Sequence, residues 1–174
     1  MTGVQTCALP ISAVACKKYG LDTTLIYRRP NLPFLSDAVI KMRENCMGTL
    51  VPTALSAPVQ LAAALERGSN VDMLVDQFFD RGVPVMFFGR PARTNPLIAH
   101  LARHVDCAIY GLRVIRHDGN RFQITLTGPI EPARDTEGKI DVQGTMQAIT
   151  GVVEGWVREH PEQWLWLHRR WRNY

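Results

Sequence analysis

The chain has 174 residues, 46% hydrophobic and 21% charged, which suits one domain with a single substantial core. Its net charge of +4 is small, but basic residues gather at Arg28/Arg29, Arg90/Arg93 and Arg169 to Arg172, pointing to an anionic partner, lipid phosphate or nucleic acid. No run approaches the roughly 18 apolar residues that cross a bilayer, and Cys7, Cys16, Cys46 and Cys107 form no C-x-x-C pair, which argues against a zinc site or a disulfide framework.

In chain order, Thr2 to Ile11 (TGVQTCALPI) is what one reading frame of a common short-read sequencing adapter encodes. Residues 1–12 are therefore expected to be an adapter-derived scar, left out of fold reasoning, and 13–174 to be the C-terminal part of one domain. A signal peptide is the alternative reading, but the stretch has neither a basic start nor a sustained apolar run.

Thr23 to Tyr27, β-branched and apolar between Gly20 and Pro30, predicts a buried strand. Ser36 to Cys46 predicts an amphipathic helix with Val39, Met42 and Cys46 inward and Lys41, Arg43 and Glu44 outward. Leu50 to Pro52 reads as a brief strand, and Pro58 to Arg67 as a helix closed by Gly68. Val71 to Val75 is the next expected strand, delivering Asp76 and Gln77 at its end; Val83 to Phe88 is a short apolar segment before Gly89. Asn95-Pro96 should start a helix reaching His104. Cys107 to Arg116 and Arg121 to Thr127 alternate around Asp118-Gly119 as an antiparallel hairpin. Val142 to Glu159 predicts a long helix with Met146, Ile149, Val152, Val153 and Trp156 on one stripe. The interleaving argues α/β, with a mixed, mostly parallel sheet flanked by helices.

The segment Pro161 to Trp171 (PEQWLWLHRRW) is the most distinctive. Pro161 suits the first helical position and Glu162 the positive helix end. The expected helix brings Trp164, Leu167, His168 and Trp171 near one face with Arg169, Arg170 and Arg172 beside them. Indoles next to guanidiniums suit a membrane interface, and tryptophans closing a core are the plainer reading.

In open α/β sheets functional groups gather at the C-terminal ends of strands. An arginine fork matches phosphate, so Arg28 and Arg29 fit a phosphorylated ligand; a structural ion pair with Asp76 is the competing role, and both can hold. Arg90 and Arg93 flank a tight turn permitted by Gly89, where they fit a second phosphate or an acidic protein partner, and an exposed basic loop is the plainer reading. His100 and His104 have the i,i+4 spacing of metal ligands, but no third ligand accompanies them and Arg103 opposes a cation, so no metal is expected. No G-x-S-x-G elbow is present.

These blocks resemble the bacterial lipid A biosynthesis acyltransferases, the late lauroyl/myristoyl transferases. PEQWLWLHRRW is similar to that family's C-terminal signature, Tyr27-Arg28-Arg29-Pro30-Asn31-Leu32-Pro33 to its YRxxNxP block, and Met73 to Gln77 with Val85 to Gly89 to its Asp-Gln and VxFFG segments. The blocks run in family order over nearly all of the chain after the leader. The resemblance implies a glycerolipid-acyltransferase-like α/β fold with its N-terminal part missing. It implies transfer of a fatty acyl group from acyl carrier protein to a hydroxyl of a lipid A precursor, with no cofactor beyond that co-substrate, at the cytoplasmic face of the inner membrane. The residues it assigns to substrate binding are Arg28, Arg29, Asn31, Asp76, Gln77, Arg93, Arg169 and Arg170.

The family's catalytic His-x4-Asp/Glu pair does not occur. Five places after His100, His104, His117, His160 and His168 stand Val105, Ile109, Phe122, Leu165 and Asn173, none of them acidic. The catalytic centre is expected upstream, and the chain alone to be silent. Acylation of another glycolipid is the nearest competing reading. A non-catalytic, basic nucleic-acid-binding module is the more distant one, opposed by the small charge and the lack of an aromatic-basic motif.

Overall fold

The computed structural model describes residues 8–28 and 33–172. The chain divides into two compact units, one of Leu9–Met73 and one running on from Leu74.

The first unit carries α1 (Ala8–Lys18), β1 (Thr23–Tyr27), α2 (Pro33–Met47), β2 (Thr49–Pro52), α3 (Ala57–Glu66) and β3 (Asn70–Asp72). Its three strands are parallel in the order β2-β1-β3, the arrangement that helical crossovers produce. Leu25 at the centre of β1 packs with Ala13 and Met47, all nearly inaccessible. Met42 was expected to face this core but stands 61% exposed. The inward positions are instead Val39, Arg43, Cys46 and Met47, all at least half-buried, spaced as one helical stripe ending on the core. Gly48 must be glycine: its φ is +103°, and a Cβ there would lie 2.4 Å from the Thr23 carbonyl oxygen.

The second unit is built on α5 (Val142–Glu159). Asp141 caps it, its carboxylate accepting from the backbone N–H of Gln143 at 3.2 Å and Gly144 at 3.0 Å, a contact worth roughly 1 kcal/mol. His160 precedes Pro161, which disfavours helical geometry, and its φ/ψ of −136°/67° ends the helix. Met146, Ile149, Val153 and Val157 form the buried stripe, joined by Thr145 and Thr150, while Val152 and Trp156 are half-buried at its border. Each fully buried aliphatic side chain contributes about 1.5–3 kcal/mol.

Against α5 lies the hairpin of β4 (Val83–Phe87) and β5 (Arg90–Thr94). Val85 and Phe87 from one strand and Ala92 from the other share its core with α4 (Leu97–Val105). β5 has no strong apolar signal because its inward residues are the small Ala92 and Thr94, while Arg90, Pro91 and Arg93 face out. A second hairpin joins β6 (Gly111–His117) to β7 (Arg121–Thr127). Parallel and antiparallel strands thus both occur, as expected of a mixed α/β chain, but they occupy separate sheets among the described residues.

Candidate functional site

The strand expected over Val71 to Val75 is shorter, ending at Asp72, so Asp76 and Gln77 sit in irregular backbone. Side chains satisfy the carbonyls there. Thr94 Oγ1 donates to Val75 O at 2.8 Å, and Arg170 Nη1 donates to Gln77 O at 3.3 Å and also to Arg93 O. One guanidinium therefore holds the Asp-Gln segment and β5 together.

Arg170 can do this because the C-terminal segment is not the helix expected from its pattern. Only Pro161–Gln163 form a helical turn, of the 3-10 type, and Trp164 is already extended at φ/ψ −94°/144°. Turns and bends follow to Arg172. At about 100° per residue a helix would set Trp164 and Arg170 roughly 120° apart. In the fold both are buried, at 4% and 1% exposure, and reach the same loop. Trp164 Nε1 donates to Asp76 Oδ2 at 3.1 Å, and Trp171 Nε1 donates to Phe87 O at 3.3 Å. These buried acceptors outweigh local helix preference. Leu167 and Trp166, freed from any stripe, stand 85% and 52% exposed.

The tryptophans close on the Phe87-Phe88-Gly89 turn. Phe87 stacks on Trp171 with ring centroids 5.6 Å apart and meets Trp164 edge-on at 5.5 Å. Phe88 and Gly89, at φ +52° and +68°, make a two-residue turn of the left-handed pattern that hairpins favour. A phenylalanine in that region is strained. Its N–H donates to Glu154 Oε2 at 2.6 Å, and the Arg158 guanidinium lies 4.6 Å over its ring. The N–H from Phe88 first, then Arg158, holds the Glu154 carboxyl below its ordinary range.

The electrostatics follow from enclosure. Burial raises the Asp76 pKa, against the opposing pull of the Trp164 hydrogen bond, Arg170 and His168. Burial lowers that of His168, with Arg170 and Arg172 adding to it. His168 Nε2 accepts the Phe78 N–H at 2.8 Å, so the neutral ring carries its proton on Nδ1 and its lone pair is engaged. Neither group is placed to take a proton from an incoming hydroxyl. The space between Asp76, Arg170, Phe87 and α5 is too small for a water molecule. This is a packed junction whose exposed rim is cationic.

Four expected site residues thus converge: Asp76, Gln77, Arg93 and Arg170. Arg93 is exposed and donates from Nη1 to Gly82 O at 3.0 Å, and the Gln77 side chain is exposed. Arg169 is exposed beside the buried Arg170. Arg28 is exposed immediately after β1 in the other unit, while Arg29 and Asn31 lie outside the described residues. The arginine beside Asp76 is Arg170. His100 and His104 are both exposed on α4.

A family model described as bacterial lipid A biosynthesis acyltransferase matches residues 2–173. The chain belongs to that family. No curated protein matches it significantly. The junction is therefore a feature of a lipid A acyltransferase, whose acceptor is a lipid A-type molecule. Sequence reading missed Glu154 and Arg158 as supports of the Phe88 turn; their i,i+4 spacing on α5 was the available signal. It also missed His168 as a backbone acceptor, for which no local signal exists.

Proposed function

We propose that this acyltransferase takes part in moving a fatty acyl group from an acyl carrier protein thioester to a hydroxyl of a lipid A precursor. The acceptor oxygen forms the new ester bond to the carbonyl carbon, the carbon–sulfur bond breaks, and the carrier thiol leaves with the proton that the hydroxyl loses. A histidine oriented by a carboxylate would relay that proton. No His-x4-Asp/Glu spacing occurs here, so the pair would belong to sequence beyond these residues. Arg28 and Arg29 would serve the acceptor's phosphates, as planar forks do.

The observation that carries this reading is the junction itself. Blocks typical of the family, far apart in sequence, meet through Trp164 on Asp76 and Arg170 on Gln77 and Arg93. Exposed Arg93, Arg169 and Arg172 leave a cationic rim, and Trp166 and Leu167 stand in solvent beside Arg169 in sequence. That composition favours the cytoplasmic face of an inner membrane, where lipid acceptor and soluble carrier are both within reach.

The test uses a protein carrying these blocks together with a His-x4-Asp/Glu pair, supplied with acyl carrier protein thioester and a lipid A precursor. Arg28→Ala and Arg29→Ala should each weaken acceptor use tenfold to a hundredfold, the equivalent of about 1.5–3 kcal/mol, and leave carrier-protein affinity unchanged. Mutant and parent should become alike on dephosphorylated acceptor. Equal losses on both acceptors would make the arginines structural.

A further inference from the structure

The β6–β7 hairpin has two chemically distinct faces. Its register sets Leu112 opposite Leu126, Val114 opposite Ile124 and Arg116 opposite Phe122. Opposed residues share a face, so these six lie together. The alternate positions turn to α5. A Cβ at Gly111 would lie 2.6 Å from the Trp156 ring, Arg113 reaches over that ring to pair with Glu159, and Ile115 is 7% exposed. The first face therefore points away from the helix. On it Leu126 is 64% exposed, Phe122 42% and Ile124 37%, with Leu112 and Val114 half-buried. Tyr110, just before β6, is also exposed. A contiguous apolar sheet face of this kind marks an interaction surface.

The charges choose its occupant. Residues 111–127 hold three arginines, Arg113, Arg116 and Arg121, against one acid, Asp118. Arg116 lies 5.8 Å over the Phe122 ring and donates to Asn120 Oδ1 at 2.7 Å, and Arg121 donates to the Asp118 carbonyl, so two guanidiniums sit at the hairpin tip. Apolar rings and branched side chains edged by cations match the boundary between acyl chains and anionic headgroups. They match a second copy poorly, because both copies would bring the same cations to the contact.

We infer that the Leu112/Val114/Phe122/Ile124/Leu126 face, with Arg116 on it and Arg121 at the hairpin tip, docks on an anionic bilayer surface. The inference rests on the acceptor being presented in a bilayer, as the proposed reaction requires; it does not depend on the acyl donor or on which residues perform the chemistry.

The test is cosedimentation of the purified chain with phosphatidylethanolamine vesicles, with and without phosphatidylglycerol. The chain should bind the anionic vesicles, less so as salt rises. The triple variant Phe122→Thr, Ile124→Thr, Leu126→Thr keeps β-forming residues at exposed positions and should melt as the parent does, yet partition about tenfold or more weakly. Arg116→Gln with Arg121→Gln should weaken binding severalfold and flatten the salt dependence. Phe122→benzoylphenylalanine, irradiated on vesicles, should crosslink to phosphatidylglycerol even if the triple variant misfolds.

Parental binding by a folded triple variant, or a crosslink to a second copy of the chain, would overturn the inference. These vesicles contain neither acceptor nor acyl donor. Intact, hairpin-dependent binding alongside failed acyl transfer would therefore remove the proposed reaction and leave the docking surface standing.

Discussion

The Trp164 indole N–H meets the Asp76 carboxylate at 3.1 Å across 88 positions of sequence. Trp164→Phe keeps most of the aromatic contact with Phe87 and removes only this donor. The enclosed carboxylate then loses a partner, at a cost of about 1–3 kcal/mol. Thermal melts should show a drop of roughly 2–4 °C per kcal/mol. Adding Asp76→Asn to Trp164→Phe should cost less than the sum of the two single changes, because the pair is coupled.

Arg169 and Arg170 are neighbours with opposite environments. Arg170→Ala removes the clamp on Gln77 and Arg93 and strips a nearby cation from Asp76, so urea denaturation should show a loss on the order of 3–5 kcal/mol. Arg170→Lys should recover little, since an ammonium lacks the planar fork. Arg169→Ala, at an exposed position, should stay within about 0.5 kcal/mol of the parent.

His168 gives the chain a pH dependence of known sign. Its folded pKa is lowered from an ordinary 6.5, chiefly by burial, so the unfolded chain takes up a proton more readily than the folded one. Stability is full above the ordinary value and is lost as pH falls from there through the lowered one. Asp76 works in the opposite sense. Its folded pKa is raised from 3.8 by burial, so its ionisation costs stability as pH rises from the ordinary value through the raised one. Melting temperature should fall on acidification just below neutrality, and His168→Gln, which keeps an acceptor for Phe78 N–H, should remove much of that fall.

Gly111 is where β6 crosses the indole of Trp156. Gly111→Ala would place a methyl 2.6 Å from a ring carbon, and overpacking of this kind costs typically about 1–3 kcal/mol. Trp156→Leu in the same chain should recover part of the loss. Calorimetry on the two single variants and the double variant measures this directly.

The elements legible in sequence are those whose periodicity agrees with their burial. The boundaries of β1 and α5 match the expected ones: β1 is a β-branched, apolar run bounded by Gly20 and Pro30, and the apolar residues of α5 recur at the helical period. β5 escaped because alanine and threonine form its inner face, and the C-terminal segment misled because proline, leucine and tryptophan satisfy a helical template. What decides that segment is the set of distant acceptors at Asp76, Gln77, Phe87 and Arg93, which no local window contains. The site was legible to the same degree. Resemblance brought Asp76, Gln77, Arg93 and Arg170 onto one roster, but that Arg170 lies inside and Arg169 outside depends on the turns after Gln163.

The bonds from Trp164, Arg170 and Trp171 also set an order of events during synthesis. The three parallel strands all lie before residue 74 and leave the ribosome well ahead of the second unit. Its Phe87-Phe88 turn and Asp76 carboxyl stay uncovered until the last tryptophan has left the exit tunnel, so a stalled nascent chain would present a half-finished aromatic core to chaperones and proteases.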